Sequence, residues 1–224
     1  MSYWYLIPIC LAITVVFLFV EHEEKQGLAV CLKGLASLVF VAFGYLGSRG
    51  CSDTLFVSRV MAGLILGCIA DVLLNLRFVF PKMKSFFFLF GTAVFLSGHV
   101  LYLIALLPKC TNLAYCLIAD VILSAAVILW MFKKLKLTPV FQIFGIVYIG
   151  TIMTMVTVAG GIFFAAPAAA TGIYFAGAVL FLISDLILVF NTFGGNPTFG
   201  RRVANLEIYY IGQLLIGLSL QFVK

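Results

Sequence analysis

Two aspartates in long apolar segments, Asp71 and Asp185, are the residues of this sequence best suited to chemistry. A charge at the centre of a bilayer costs about 2.5–3.5 kcal/mol on insertion scales, so an acid kept there faces the protein interior and is a candidate for function. Repulsion between two neighbouring buried carboxyls favours one protonated and one ionised group. General acid–base hydrolysis uses this arrangement.

The segment around Asp71 places small or polar residues at every fourth position: Gly63, Gly67, Asp71 and Asn75. Residues four apart lie one above another on a helix, so these four form one narrow stripe. Small residues let a neighbouring helix approach closely, and we expect Asp71 to point into that contact. The alternative is a packing seam in which a neutral Asp71 is only hydrogen-bonded.

The other polar residues in apolar segments are candidates for orienting or binding a substrate. His99 joins the two aspartates as a catalytic candidate, although a single membrane histidine is often only a helix–helix hydrogen bond. The substrate-binding candidates are Lys33, Asn75, Tyr102, Tyr148, Ser184, Asn191, Tyr209, Tyr210 and Gln213.

Several of these candidates have a second interpretation. Lys33 either extends to the cytoplasmic interface, as long basic side chains do, or holds an anionic head group. Tyr209 and Tyr210 are also compatible with an interfacial aromatic belt, and Tyr148 with an interhelical hydrogen bond. A third intramembrane acid, Asp120, is either a structural hydrogen-bond acceptor or part of an outer vestibule.

The elements that position these residues are membrane helices. The 224 residues are 64% hydrophobic and 10% charged, whereas a soluble domain carries about 25% charged residues. Since one crossing takes about 20 apolar residues, the length predicts an all-α membrane protein of about eight transmembrane helices. They are expected near 3–20, 28–47, 56–77, 86–107, 112–132, 138–160, 169–191 and 204–222, in a single membrane domain spanning 1–224.

The distribution of basic residues between the loops predicts the orientation. The loops after the odd-numbered helices hold Lys25, Arg77, Lys82, Lys84, Lys133, Lys134, Lys136, Arg201 and Arg202, and the opposite side holds Arg49, Arg59, Lys109 and Lys224. The richer side is expected in the cytoplasm, which puts both termini outward. We expect the inner membrane of a bacterium as the location.

An internal similarity predicts a repeat of four helices plus four helices. The segment Gly63–Leu74 resembles Gly177–Leu188 at an offset of 114 residues, and the same offset relates Gly98-His99 to Gly212-Gln213. Halves of roughly 1–110 and 111–224 would have the same orientation, because an even number of crossings separates them. The repeat therefore predicts that Asp71 and Asp185 face each other across an axis along the membrane normal.

Several classes of function are excluded by what the sequence lacks. Two histidines cannot form a three-histidine zinc site, and the six cysteines have no metal-binding spacing. No phosphate-binding loop, dinucleotide fingerprint or nucleophile elbow occurs. Basic residues stand singly or in groups of two or three, without the continuous face that nucleic acid requires. We expect neither a metal nor an organic cofactor, and no nucleic-acid partner.

The same residues resemble a known family. Gly63-Leu64, Gly67 and Asp71–Leu74, followed by Gly91, Phe95, Gly98-His99 and Tyr102, are similar to the first half of the YhhN/TMEM86 family; Ile183–Asp185, Asn191–Phe193, Tyr209-Tyr210 and Gln213–Leu215 are similar to its second half. Lys33 and Tyr148 also fit that pattern. The resemblance covers nearly the whole chain and implies an eight-helix membrane protein.

The resemblance also implies an activity, lysoplasmalogenase, which hydrolyses the vinyl ether of a lysoplasmalogen to a fatty aldehyde and a glycerophospho-ethanolamine or -choline. Asp71 and Asp185 would supply the acid and the base, and His99, Tyr210 and Gln213 would orient them or the water. Lys33 and Asn75 would meet the phosphate head group. The partners would be a lysophospholipid and membrane lipid. The alternative hypotheses are a proton-coupled transporter of lipids or small molecules and a lipid-binding membrane protein.

Overall fold

The computed structural model describes residues 3–223, and within that range the chain forms eight α-helices and three short 3₁₀ turns. The α-helices are α1 (Leu6–His22), α2 (Gln26–Gly47), α3 (Thr54–Val79), α4 (Lys84–Leu106), α5 (Leu113–Lys134), α6 (Pro139–Ala165), α7 (Ala169–Phe193) and α8 (Phe199–Ser219). Their bounds agree with the predicted spans to within five residues, the largest differences being the end of α6 and the start of α8. The all-α prediction is confirmed.

Seven helical segments of the described chain are long and apolar enough to cross a membrane, so the protein is an integral membrane protein. The eighth, α1, is apolar but has only 17 residues. At 1.5 Å per residue it spans about 26 Å, slightly less than a hydrocarbon core of about 30 Å. The orientation of the helices stays a prediction.

Several helices begin or end at residues that stabilise a helix terminus. The Asp53 carboxylate accepts a hydrogen bond of 3.0 Å from the Phe56 amide and caps the start of α3. Pro139 occupies the first turn of α6, where a missing N–H costs nothing. Lys133 and Lys134 lie in the last turn of α5, where positive charge is favourable.

The chain divides into two compact units. The first runs to Tyr102 and includes the C-terminal segment from Gly217, and the second runs from Leu103 to Ile216. In the first unit α2 packs against both α1 and α3. Gly34 and Gly44 of α2 allow α2 to approach α3 closely. A Cβ on Gly34 would lie 3.2 Å from Val72, and one on Gly44 would lie 2.7 Å from Leu64.

In the second unit α6 packs against both α5 and α7. A cluster of Met131, Leu135 and Ile149 forms part of its apolar core. The outer surface of α5 exposes large apolar side chains, among them Tyr115, Ile118 and Val121. A helix with such a surface is typical of contact with lipid chains.

A pair of glycines brings two helices together in each unit. In the first unit a Cβ on Gly98 of α4 would lie 3.2 Å from the Gly63 carbonyl oxygen of α3; in the second unit a Cβ on Gly212 of α8 would lie 3.1 Å from the Gly177 carbonyl oxygen of α7. These are the residues that the 114-residue offset relates. The repeat itself stays a prediction, and so does the single membrane domain.

Replacing Gly177 with alanine is expected to destabilise the protein. The new Cβ would lie 2.8 Å from the Gly212 carbonyl oxygen and 3.0 Å from the Ile216 amide nitrogen, and neither backbone atom can rotate away. We expect a loss of about 1–3 kcal/mol in the free energy of unfolding, measured by unfolding in detergent. Gly150→Ala is the control, because nothing lies within 4 Å of a Cβ there. Equal effects of the two variants would contradict this explanation.

Candidate functional site

Asp71 lies in the first unit, on α3, in contact with two polar side chains of α2. Its Oδ1 atom is 3.2 Å from the Lys33 ammonium nitrogen, and its Oδ2 atom accepts a hydrogen bond of 2.7 Å from the Ser37 hydroxyl. All three residues are buried. The carboxylate thus has a cation on one oxygen and a neutral donor on the other.

Lys33 does not extend to the interface, as one interpretation of the sequence proposed. Its side chain is 7% exposed, and its ammonium lies 5.9 Å from the centre of the Phe17 ring of α1. An ion pair this deeply buried is costly to desolvate and survives only when both charges have partners. The structure therefore assigns Lys33 first to Asp71.

Asn75 follows Asp71 by one helical turn and is also buried, at 1% exposed. Its amide nitrogen Nδ2 has no hydrogen-bond partner. A buried donor without an acceptor costs about 1–3 kcal/mol, so this atom is suited to bind a ligand or a water molecule.

His99 lies on α4 in the first unit and is 1% exposed. Its ring is 5.9 Å from the Phe95 ring and 5.9 Å from the Tyr102 ring, the latter edge to face. The Tyr102 ring in turn covers Gly63, where a Cβ would clash with it. His99 and Tyr102 thus form one aromatic group, and its Tyr102 ring packs against Gly63, the first residue of the predicted stripe. The catalytic role of His99 stays a prediction.

Asp185 lies in the second unit, on α7, and is 3% exposed. Its Oδ2 atom accepts a hydrogen bond of 2.9 Å from the Tyr148 hydroxyl of α6. Tyr148 was expected either to bind substrate or to bridge two helices, and it does bridge α6 and α7. The bridge ends on the candidate catalytic acid.

Ser184 precedes Asp185 and is held by a residue that the sequence reasoning did not name. The amide nitrogen of Asn205, on α8, lies 2.8 Å from the Ser184 carbonyl oxygen and 2.9 Å from its hydroxyl. Both residues are buried. A signal for Asn205 was present, because Asn205, Tyr209 and Gln213 recur every four residues, as the stripe on α3 does.

The other candidates on α8 form one buried polar and aromatic group in the second unit. Gln213 is 1% exposed, and its amide lies 3.4 Å from the Tyr209 hydroxyl. The Tyr209 ring contacts Phe181 and Tyr210, with ring centres 5.4 and 4.9 Å apart. Burial of both tyrosines, at 5% and 0% exposed, argues against the belt interpretation.

Two other polar residues of the second unit have structural contacts. The Asn191 side-chain oxygen accepts a hydrogen bond of 2.8 Å from the Thr198 amide and orders the loop before α8. The Asp120 carboxyl accepts hydrogen bonds from Ser124 at 3.0 Å and from Thr154 at 2.9 Å. Of the two interpretations of Asp120, the structural one fits these contacts.

The two candidate acids therefore have comparable settings, each within its own unit. In both units the helix that precedes the aspartate helix supplies the partner: α2 supplies Lys33 and Ser37, and α6 supplies Tyr148. Among residues 3–223, no three His, Cys, Asp or Glu side chains are grouped so that they could hold a metal ion.

Comparison with protein families shows a match to the model of the YhhN family over residues 28–220. The match includes every candidate residue from Lys33 to Gln213. The chain belongs to the YhhN family. Searches of curated proteins and of solved structures found no match. Membership agrees with the resemblance drawn from the residues of α3, α4, α7 and α8.

Proposed function

We propose that this member of the YhhN family is an intramembrane hydrolase that cleaves the vinyl ether bond of lysoplasmalogens. The observation that carries the proposal is the pair of buried aspartates, Asp71 and Asp185, each held by polar partners inside an apolar helical unit. Buried carboxyls of this kind are costly in a membrane helix and mark sites of function.

The reaction needs few groups. A proton adds to the β-carbon of the vinyl ether and leaves an oxocarbenium ion, which water attacks at the carbon bonded to oxygen. The resulting hemiacetal loses the glycerol oxygen as an alcohol and becomes a fatty aldehyde. An acid, a base for the water and a nearby negative charge are sufficient.

We infer different roles for the two acids from their partners. Burying a carboxylate beside an ammonium costs less than burying one beside neutral donors, so Asp71, next to Lys33, is the better place for the negative charge. It would stabilise the oxocarbenium ion and accept the proton of the attacking water. Asp185, whose carboxyl accepts a hydrogen bond from the Tyr148 hydroxyl, would deliver the proton to carbon.

The test uses purified protein and three lysophosphatidylethanolamines that differ only in the bond at carbon 1: 1-alkenyl, 1-alkyl and 1-acyl. The proposal predicts fatty aldehyde and glycerophosphoethanolamine from the alkenyl lipid alone, because only the vinyl ether accepts a proton at carbon. The variant carrying both Asp71→Asn and Asp185→Asn should release none. Aldehyde release by that variant would contradict the site. An alkenyl lipid that crosses a liposome membrane unchanged would instead support the proton-coupled transporter.

A further inference from the structure

Two buried polar atoms of the first unit lack a hydrogen-bond partner and are complementary in type. Asn75 Nδ2, on α3, is a donor without an acceptor, and Gln26 Oε1, at the start of α2, is an acceptor without a donor. Each such group is unfavourable until a ligand or solvent satisfies it.

The register of the two helices puts both atoms at one end of the unit. Contacts of Gly34 with Val72 and of Gly44 with Leu64 show that α2 and α3 run antiparallel, because the residue number falls along α3 as it rises along α2. At 1.5 Å per residue, Asn75 lies about 4–5 Å beyond Val72 and Gln26 about 12 Å before Gly34, in the same direction along the unit.

The faces also correspond. Spacings of four and seven residues keep side chains on one face of a helix. Asn75 therefore shares the face of Asp71, and Gln26 shares the face of Lys33, and these are the faces that meet at the ion pair. With Gly34 level with Val72, the unpartnered donor and acceptor are offset by about 7–8 Å along the axis, a separation that an extended phosphoethanolamine with one hydrogen bond at each end can bridge.

A phosphoethanolamine group matches this pair. Its phosphate oxygens accept hydrogen bonds, and its ammonium, two carbons away, donates them. Lys33 is engaged by Asp71, which leaves a neutral amide as the phosphate donor. A choline group has the same phosphate, but its quaternary nitrogen has no N–H, so the Gln26 oxygen would stay unsatisfied.

We propose that Asn75 and Gln26 form a head-group site that binds the phosphate and the ammonium of an ethanolamine lysophospholipid and disfavours choline. The proposal rests on the proposed function only in taking a lysophospholipid as the ligand. It names the substrate class within that function: ethanolamine head groups that retain at least one N–H.

Binding of non-hydrolysable lipids tests the proposal. The ligands are 1-alkyl lysophospholipids with ethanolamine, N-methyl-, N,N-dimethyl-ethanolamine or choline head groups, titrated against the purified full-length protein. The first three retain an N–H and should bind alike, whereas choline should bind about five- to tenfold more weakly, which is the effect of one lost hydrogen bond. Equal affinity for ethanolamine and choline, or binding of none of the four lipids, would overturn the proposal.

Variants assign the two contacts. Gln26→Leu should lower ethanolamine affinity to the choline level and leave choline affinity unchanged, while Asn75→Leu should weaken all four lipids alike. Gln26→Glu retains the acceptor and should preserve the preference if the leucine variant does not fold. Gln142→Leu is the matched control, because its amide donates to the Leu137 carbonyl in the second unit. A Gln26→Leu protein that folds and still prefers ethanolamine would overturn the proposal.

The head-group proposal and the proposed hydrolysis can fail independently of each other. The alkyl lipids have no vinyl ether, so head-group preference is measured whether or not the protein turns over a substrate. Preference for ethanolamine without aldehyde release from an alkenyl lipid would remove the hydrolase and leave the head-group site.

Discussion

Asp185→Asn is expected to lower kcat for aldehyde release by about 10²–10⁴-fold, because general acid catalysis contributes that much. Asparagine retains the shape of the side chain and can still pair with the Tyr148 hydroxyl, which lies 2.9 Å from the carboxyl. It cannot deliver a proton to carbon. KM should change little, since the missing interaction is made only in the transition state. Steady-state assays with an alkenyl lysophosphatidylethanolamine measure both constants.

Asp120→Asn is the matched control, because Asp120 is a further aspartate of the same unit. Ser124 and Thr154 hydroxyls hold its carboxyl, and it has no place in the proposed chemistry. We expect its kcat to stay within a few-fold of the wild type. A comparable loss in both variants would show that the second unit tolerates no change of charge, and it would remove the special role of Asp185.

Breaking the Lys33–Asp71 pair is expected to cost stability as well as activity. Asp71→Asn leaves the Lys33 ammonium buried without a counter-charge, and loss of one partner of a buried pair costs about 3–5 kcal/mol. Lys33→Met should cost a similar amount, because it leaves the buried Asp71 carboxylate without a counter-charge. Unfolding in detergent measures both variants.

The combined variant Lys33→Met/Asp71→Leu separates structure from catalysis. Replacing a buried ion pair by apolar residues is often neutral or stabilising, so stability should return to near the wild-type value. Aldehyde release should stay absent, because the carboxylate is gone. Normal activity in a stable double variant would exclude Asp71 from the site. A double variant as unstable as either single one would show that the ion pair is not the source of the loss.

The helices were predictable because the bilayer determines their length. Runs of about 20 apolar residues between charged loops can form only spanning helices, and the span predicted to begin near residue 138 begins at Pro139 as α6. The burial of the polar residues was equally predictable, since few polar residues interrupt these apolar runs and each is costly to expose to lipid. All of Asp71, His99, Ser184, Asp185 and Gln213 are buried.

The partners of the polar residues were less predictable. The sequence left Lys33 open between extension to the interface and an anionic head group, and only the packing of α2 on α3 brings it to Asp71. Ser37 shares a face with Lys33, but serine occurs in many membrane helices without a partner across the interface. Asn205 was overlooked because the predicted span began at 204 and put Asn205 at a helix end, whereas α8 begins at Phe199. Its partner Ser184 is 21 residues away in the sequence.

Hydrolysis in D₂O tests the central claim most directly. Purified protein is incubated with an alkenyl lysophosphatidylethanolamine, the aldehyde is trapped as it forms, and its mass is measured beside an unlabelled aldehyde kept in the same solvent. Protonation at carbon predicts one deuterium on the carbon next to the carbonyl, together with glycerophosphoethanolamine in equal amount. Recovery of the intact lipid, or an aldehyde with no more deuterium than the control, would contradict it.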